Sequence, residues 1–421
     1  MQGPPPPDSA VTMVPLGKRI PIEELRGGMF VAGVYDQTDA IIYSASTLIS
    51  DERQIDSLKR SGAVSVVIIP DEASLEESGQ AVPHPGPSEE SAPGESIIAY
   101  AQYRQELREG GEKIRHAQTT VRDAMEAIKM GRIFLSRNIL TATEELVEEV
   151  IADPDLYFGL SQVKSLSEHA WSHSVNVAVL SAAFAHSLSY SPEKTRDIAI
   201  GGMLHDIGMM NLPQDLWLRR GNFTQAEVAA YQTHPSAGIG IIDGSRQKIP
   251  ALARTIILQH HERWNGGGFP GRLSGIDVNE TATICTLADT YDLLTTKTPY
   301  HRANLPQEAM ATIFRQVDEG FPRMLVEQFT RLLGIYPVGS FVRLMSGEMG
   351  MVIRINRSHL LSPAVLMLFD RQGVRLAKPH VRDLSTEESV QAGQPLYKID
   401  KSLDPSVFQI NPSSIFGIAA G

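Results

Sequence analysis

A single cysteine, Cys285, stands among 421 residues. A disulfide framework is excluded, and so is any zinc site built from several thiolates. One cysteine fits a reducing cytosol, and cytoplasmic localisation is the expectation. Basic charge is also short. Lys and Arg number 38 against 49 Asp and Glu, a net charge of −11. That balance argues against broad nucleic-acid binding and against a polybasic membrane contact. A small anionic ligand stays open, because a metal cluster reverses the local field. Long apolar runs are missing. The least polar stretch, Ser174 to Leu188, holds Asn176, His186 and several serines. It falls short of the ~20 apolar residues of a membrane span and reads as a buried helix. The start, Met1-Gln2-Gly3-Pro4 to Pro7, lacks the apolar core of a secretory signal. No GxxxxGK[ST] phosphate loop and no internal repeat are present.

Apolar residues make up 42% and charged residues 21%, which is globular composition. At ~100–200 residues per domain the length allows two to four domains. Residues 1–17 are Pro-rich, and disorder is expected there. Residues 18–75 read as a small α+β module: a helical turn, Gly27-Gly28, a strand, helical spacing at Ile55 and Leu58, and the β-branched run Val64 to Ile69. Residues 76–96 are rich in Pro, Gly, Ser and Glu and read as a linker. Connecting helices follow over 97–150. There Tyr100, Leu107, Ile114, Val121 and Ile128 recur every seven residues, with Tyr103, Gly110, Ala117 and Ala124 three further on. A coiled-coil seam fits that period. Gly110-Gly111 and the small offset residues favour an ordinary amphipathic helix.

Residues 151–335 read as helix after helix. Helical spacing covers Lys164 to Leu188, Pro192 to Leu204, Thr224 to Thr233, Ala251 to Gln259, Val278 to Thr295 and Gln307 to Glu319, with Glu145 to Ile151 just ahead. Residues 336–400 turn strand-like at Gly339 to Leu344, Met349 to Ile355 and Val365 to Phe369, and 401–421 form a tail. The fold class expected is mainly α, with a small N-terminal α+β module and a small β-rich C-terminal extension.

Seven of the twelve histidines fall between His169 and His261. His169 and His173 are spaced i, i+4 on one helical face. His205-Asp206 can touch two neighbouring metals from one turn with the carboxylate between them, although a helix end before Gly208 would explain the pair equally well. His260-His261-Glu262 closes an apolar helix and offers two imidazoles with a carboxylate to orient an N–H. The loop after it, Asn265-Gly266-Gly267-Gly268-Phe269-Pro270-Gly271, lets backbone approach a ligand closely. His186 falls on roughly the opposite face from His173 and reads as structural. Imidazole and carboxylate without thiolate suit Fe, Mn or Zn. Two metals ~3.5–4 Å apart clamp phosphate oxygens and activate a water, the chemistry a phosphodiester needs. Arg263, Arg272, Arg219 and Arg302 lie near these motifs and can pair with phosphate.

The series His173-Ser174, Leu204-His205-Asp206-Ile207-Gly208, His234-Pro235, His260-His261-Glu262-Arg263, Gly268-Phe269-Pro270 and Ala288-Asp289 resembles the HD-GYP subgroup of the HD phosphohydrolase superfamily. Residues 18 to 72 resemble the small domain of unknown function often found upstream. Residues 334 to 385, with Tyr336-Pro337-Val338-Gly339, resemble the β-rich extension found downstream. The resemblance implies an all-helical HD-type metallohydrolase domain over 151–335. It implies two divalent metals, Fe or Mn, held by His173, His205, Asp206, His234, His260, His261 and Asp289. His169 falls where some members bind a third. Asp206 is implied as the bridge that holds a metal-bound hydroxide, with Glu262 and Asp292 behind the ligands. Substrate contacts are implied at Arg263, Asn265, Gly266, Gly268, Phe269, Pro270, Arg302 and Met209. The implied reaction is hydrolysis of cyclic di-GMP to pGpG and on to GMP, by a bacterial signalling enzyme. Expected partners are cyclic di-GMP, a second copy in a homodimer, and a protein docked on the N-terminal module; no nucleic acid and no membrane span are expected.

The departures from the family pattern fall on substrate positions. Met209 replaces a Lys, Phe269 a Tyr, Asn265 an Asp and Thr298 an Arg. They leave a weakly active cyclic-dinucleotide sensor, and hydrolysis of 3′,3′-cyclic GMP-AMP, as alternatives to the active enzyme.

Overall fold

The computed structural model describes residues 18–26, 30–35, 41–43, 47–48, most of 55–69, 94–130, 137–162, 169–213, 216, 223–245, 248–297, 302–385 and 398–416. The expected N-terminal tail, nearly all of the linker, Arg219 and Thr298 lie outside them. The chain forms two compact units, residues 1–90 and 91–421.

The first unit is built on an antiparallel sheet of β1 (Lys18–Pro21), β2 (Phe30–Tyr35), β3 (Ile41–Tyr43), β4 (Thr47–Leu48) and β5 (Ser65–Ile69), ordered β1-β5-β2-β3 with β4 on β2. Ile20, Ile22, Leu25, Ile55, Ala63 and Val66 make its core. The predicted strand at 64–69 and the turn after Pro21 are present. The two- to four-residue strands β1, β3 and β4 are too short to leave a period in sequence.

The second unit begins with α1 (Gly94–Lys129), α2 (Arg137–Ala152) and α3 (Pro154–Ser161). The seven-residue period of α1 is consumed within the molecule: Tyr103, Leu107, Ile114, Ala117, Val121 and Ala124 are buried in the main core. Gly110 is small because α3 crosses there; a Cβ would meet Leu160 at 2.8 Å. Next come α4 (His169–Ser187), α5 (Pro192–Leu204), a 3-10 segment Ile207–Asn211, α6 (Gln225–Tyr231), α7 (His234–Gly244), α8 (Ala251–Gln259), α9 (Glu280–Thr295), α10 (Pro306–Phe314) and α11 (Arg323–Leu333). Ser174 to Ala185 of α4 is buried on every face, as a helix apolar all round must be. It packs against α1, α2, α5 and α9.

The sequence did not predict α3, α7 or α11. In α7 three glycines lower helix propensity. Packing explains one of them: a Cβ on Gly238 would press on Ile257 at 3.1 Å and Ile207 at 3.3 Å.

The C-terminal sheet runs β10-β6-β7-β8-β9, all antiparallel, from β6 (Phe341–Leu344), β7 (Met349–Arg354), β8 (Ala364–Phe369), β9 (Arg375–Asp383) and β10 (Ile399–Leu403). Its buried face joins the same apolar cluster as the helices. Polar ties add to this at the start of α3. Asp153 caps α3 through Leu156 N and accepts Arg354 at 2.9 Å. Asp155 accepts Ile355 N at 2.9 Å and Arg357 at 2.7 Å. The exposed, polar β9 and the short β10 escaped prediction because they lack a buried alternation. Among the described residues no helix is long and apolar enough to cross a membrane.

Candidate metal centre

Close helix packing creates the site. Near the end of α5, Gly202 lies where a Cβ would be 3.2 Å from Ala178 Cα in α4, and at Gly201 one would reach Ile256 of α8. Only glycine lets three helices converge here. They bring His173 of α4, His205 at the end of α5 and His260 at the end of α8 together; ring centroids are 5.1 Å apart for His173–His205 and 5.0 Å for His205–His260. Gly208 extends the same logic. A Cβ there would overlap the His234 carbonyl oxygen and sit 2.5 Å from Gly238 N. Its role is close approach of the His205-Asp206 turn to α7. Its φ is not positive, so it is not a left-handed helix cap.

All seven expected ligand side chains converge, in two groups. Asp206, His234, His260 and His261 form one; His173, His205 and Asp289 form the other. Asp206 faces both. Its Oδ2 is 3.4 Å from His205 Nε2 and 3.8 Å from His173 Nε2, and its Oδ1 is 3.3 Å from His234 Nε2 and 3.8 Å from His260 Nε2. Asp289 Oδ1 is 3.2 Å from His173 Nε2.

Hydrogen bonds set the imidazole tautomers. His205 Nδ1 donates to Gly202 O at 2.7 Å, His234 Nδ1 to Tyr231 O at 2.7 Å, and His260 Nδ1 to Ile257 O at 2.9 Å. Each Nε2 is thereby left as a lone pair pointing inward. His234 Nε2 and His260 Nε2 then face each other 3.1 Å apart. Two lone pairs at that distance repel unless a cation lies between them. His205 Nε2 is buried without a hydrogen-bond partner among the described residues. A divalent cation in each group would satisfy these atoms, so the donor set fits the expected metals.

Behind His173 stands Asp292, 1% exposed, whose Oδ2 is 2.8 Å from His173 Nδ1. Its Oδ1 accepts Asn176 Nδ2 at 2.9 Å. Carboxylate, imidazole and cation in line is the arrangement that orients a ligand and raises its basicity. Glu262, 3% exposed, accepts the amides of Gly271 and Leu273 and so ties down the glycine loop. Thr286 of α9 donates to His260 O at 2.7 Å.

The field is divided. Burial opposes charge on His173, but Asp289 and Asp292 override it and push its pKa up to about 10. Burial likewise opposes charge on His205, and Asp206 raises it. Burial lowers His234 to about 4 against the attraction of Asp206. Burial beside His260 and His234 drops His261 well below the usual imidazole range. Burial would raise Asp206 and Asp289, yet their histidines hold both below the ordinary carboxylate value, Asp206 well below.

The remaining expected residues divide as follows. Phe269 stacks on His261 with centroids 4.6 Å apart and planes at 26°. Gly268 passes so close to His261 O and the Glu262 backbone that no Cβ fits. Arg263 is half-buried over Phe321, with Nη1 lacking a partner among the described residues. Asn265 caps its own turn through Gly267 N, and Gly266 takes a positive φ of 77°. Pro270 is exposed. Met209 is 6% exposed and belongs to the apolar core, so it packs rather than faces solvent. Arg302 pairs with Asp404 and lines another cavity that includes none of the seven ligand residues. His169 opens α4, its side chain outside the described set; His186 is exposed near the helix end.

Sequence reasoning missed Tyr231 and Asn176. Tyr231 Oη lies 3.3 Å from His261 Nε2, and its ring is 4.9 Å from His234. The available signal was its position three residues before His234, one turn away on the same face.

Two regions of the chain match known families. Residues 147–321 match the family model of the HD domain, and residues 17–135 match a domain of unknown function, DUF3391. The second match runs well past the module expected at 18–72, through α1. A cyclic di-GMP phosphodiesterase of Pseudomonas aeruginosa is 28% identical over 84% of this chain and 85% of its own length. A 3′3′-cGAMP-specific phosphodiesterase of Vibrio cholerae is 25% identical over 58% of this chain, which spans 45% of that relative. A solved HD-GYP-type protein of Bdellovibrio bacteriovorus covers 75% of this chain and 99% of its own, at 18% identity and a TM-score of 0.45. Residues 147–321 are thus an HD domain whose motif series resembles that of the HD-GYP subgroup, with a DUF3391 region ahead of it.

Proposed function

We propose that this chain is a metal-dependent phosphodiesterase that opens cyclic di-GMP to pGpG, with two divalent cations held by His173, His205 and Asp289 on one side and His234, His260 and His261 on the other. Asp206 is the shared ligand. The observation that carries this reading is the split of the Asp206 carboxylate, one oxygen toward each group. Bound there, two cations would neutralise phosphate charge and lower the pKa of a water to the neutral range. The protein's own part is to position and to hold protons. Asp292 fixes the His173 ring, and the Nδ1–H···O=C bonds keep three Nε2 atoms bare. Phe269 offers an aromatic face beside the site, and Arg263, whose Nη1 has no partner among the described residues, a cation for a phosphate. Iron or manganese is the proposed metal from the nitrogen and oxygen donor set.

Cyclic di-GMP is favoured by the Pseudomonas relative, which shares both regions of the chain. The Vibrio relative supports 3′,3′-cyclic GMP-AMP as the second reading. The test is metal analysis of anaerobically purified protein together with product analysis on both dinucleotides. Wild type is expected to carry close to two metals and to release pGpG. Asp206→Ala is expected to lose metal and to fall at least ~100-fold in rate with helix content unchanged. Full metal content and turnover in Asp206→Ala would sink the assignment.

A further inference from the structure

The metal centre is closed on most sides. Of the seven ligand residues only Asp206 and His261 keep appreciable surface; the other five are buried, His234 and His260 at 0% exposure. A phosphodiester therefore has to reach the ligands by way of Asp206 and His261. Two half-buried rings border His261: Phe269, with centroids 4.6 Å apart, and Tyr231, at 5.7 Å.

Tyr231 brings a hydroxyl to this side of the centre. Its Oη is 3.3 Å from His261 Nε2. That is the spacing of the donor atoms themselves, since His234 Nε2 is 3.1 Å from His260 Nε2 and 3.3 Å from Asp206 Oδ1. The hydroxyl thus stands at the rim of the donor group. The residue is fixed from three directions. Its carbonyl accepts His234 Nδ1 at 2.7 Å, its ring lies 4.9 Å from that of His234, and the Phe223 ring stacks on it at 20°. A donor held this way needs little reorganisation to meet an anion.

We infer that Tyr231 is a further catalytic residue, its hydroxyl donating a hydrogen bond to a non-bridging phosphate oxygen of the dinucleotide. The inference rests on the phosphodiesterase reading for the identity of that substrate. A phosphate oxygen only accepts, and the ligands have few protons to give it. The Nδ1 protons of His205, His234 and His260 all go to backbone carbonyls. Met209, just past the His205-Asp206 turn, is packed in the core and carries no donor. Tyr231 supplies an O–H where the open ligands Asp206 and His261 meet the anion, and a hydrogen bond to an ionised oxygen is roughly twice as strong as a neutral one. No proton is transferred; the phenol stays protonated.

Tyr231→Phe tests this, because it removes the hydroxyl and keeps the ring and the carbonyl that holds His234. The full chain, loaded with manganese, is compared in both forms. Elemental analysis gives metal per chain, calorimetry the affinity for inorganic phosphate, and steady-state kinetics kcat and KM on cyclic di-GMP. Metal content and melting temperature are expected to hold, while phosphate binds ~10-fold more weakly and kcat/KM falls ~10–100-fold. Metal loss in Tyr231→Phe would make the hydroxyl a support for His261 rather than a phosphate contact, and overturns the inference. Equal phosphate affinity in the two forms overturns it as well, as does a wild type that binds no phosphate at millimolar concentration. A wild type that leaves both dinucleotides intact refutes the phosphodiesterase reading; phosphate binding that still depends on the hydroxyl would uphold the Tyr231 contact on its own.

Discussion

The close approach at Gly208 is the most demanding feature of the site, and Gly208→Ala probes it with one methyl group. The added Cβ would lie 2.5 Å from Gly238 N and 2.8 Å from the His234 carbonyl carbon, and deeper still into the oxygen. Cβ contacts under 3.0 Å are essentially never seen, and here every obstructing atom is backbone. Relief therefore requires the turn carrying His205 and Asp206 to part from α7 by roughly 1 Å, an overpacking that costs about 1–3 kcal/mol. His234 opens α7, and its Nε2 is only 3.3 Å from Asp206 Oδ1. A shift of that size would pull the shared carboxylate away from one group of ligands. Misplacement of ~1 Å at a reacting centre can cost ~100-fold in rate. Gly240→Ala, on the same helix, is the control, since a Cβ there meets nothing within 4 Å. The assay reads metal per chain by elemental analysis, kcat/KM on cyclic di-GMP and melting temperature for both variants. Gly208→Ala is expected to lose metal and rate, and Gly240→Ala to match wild type. Wild-type metal content and rate in Gly208→Ala would refute the argument.

Three further outcomes are expected. Asp292→Asn puts an amide where both His173 and Asn176 need an acceptor, so metal affinity should fall ~10–100-fold in competition with a chelator, with little change in circular dichroism. The His173 pKa of about 10 without metal lies above the ordinary 6.5, so its proton stabilises the metal-free fold fully below about pH 6.5 and that gain is lost as pH rises through about 10. Metal loading at pH 7 must displace that proton, and calorimetry in buffers of different ionisation heat should show proton release and affinity rising with pH; no release would contradict it. Met209→Lys places a charge in the apolar core, so a lower melting temperature with no gain in kcat/KM is expected, and a faster, equally stable variant would return Met209 to the substrate side.

The His205-Asp206 and His260-His261 pairs were legible because each closes a helix, where a pair is visible without knowing the fold, whereas Asp289 lies within α9 and entered with the family resemblance. Asp292 entered only with the family resemblance, and its contacts to His173 and Asn176 are visible only in the fold. Tyr231 and Asn176 were not, because their roles depend on contacts across 30 and 116 residues. Gly208 was visible but its role was not; a glycine after a helix suggests a cap, and only the position of α7 shows the close approach. Helix α7 was hidden by its three glycines, of which Gly238 has a packing reason that only the fold shows. In the sheet, β6 to β8 were readable from buried β-branched and aromatic residues. β9 and β10 were not, since their stability comes from ladder hydrogen bonds to neighbours already in place.

The bond between the C-terminal sheet and α3 has a consequence for how such a chain can be cut and recombined. Asp155 spends one oxygen on a strand amide and the other on Arg357, and Phe416 fills the space that Gly159 leaves open. Truncation near residue 335 would strip partners from a 5%-exposed carboxylate and lay bare the apolar floor beneath Phe341 and Val352. The sheet is thus a foundation of the helical fold rather than an attachment. Residues 91–421 should be expressed and melted as one cooperative piece.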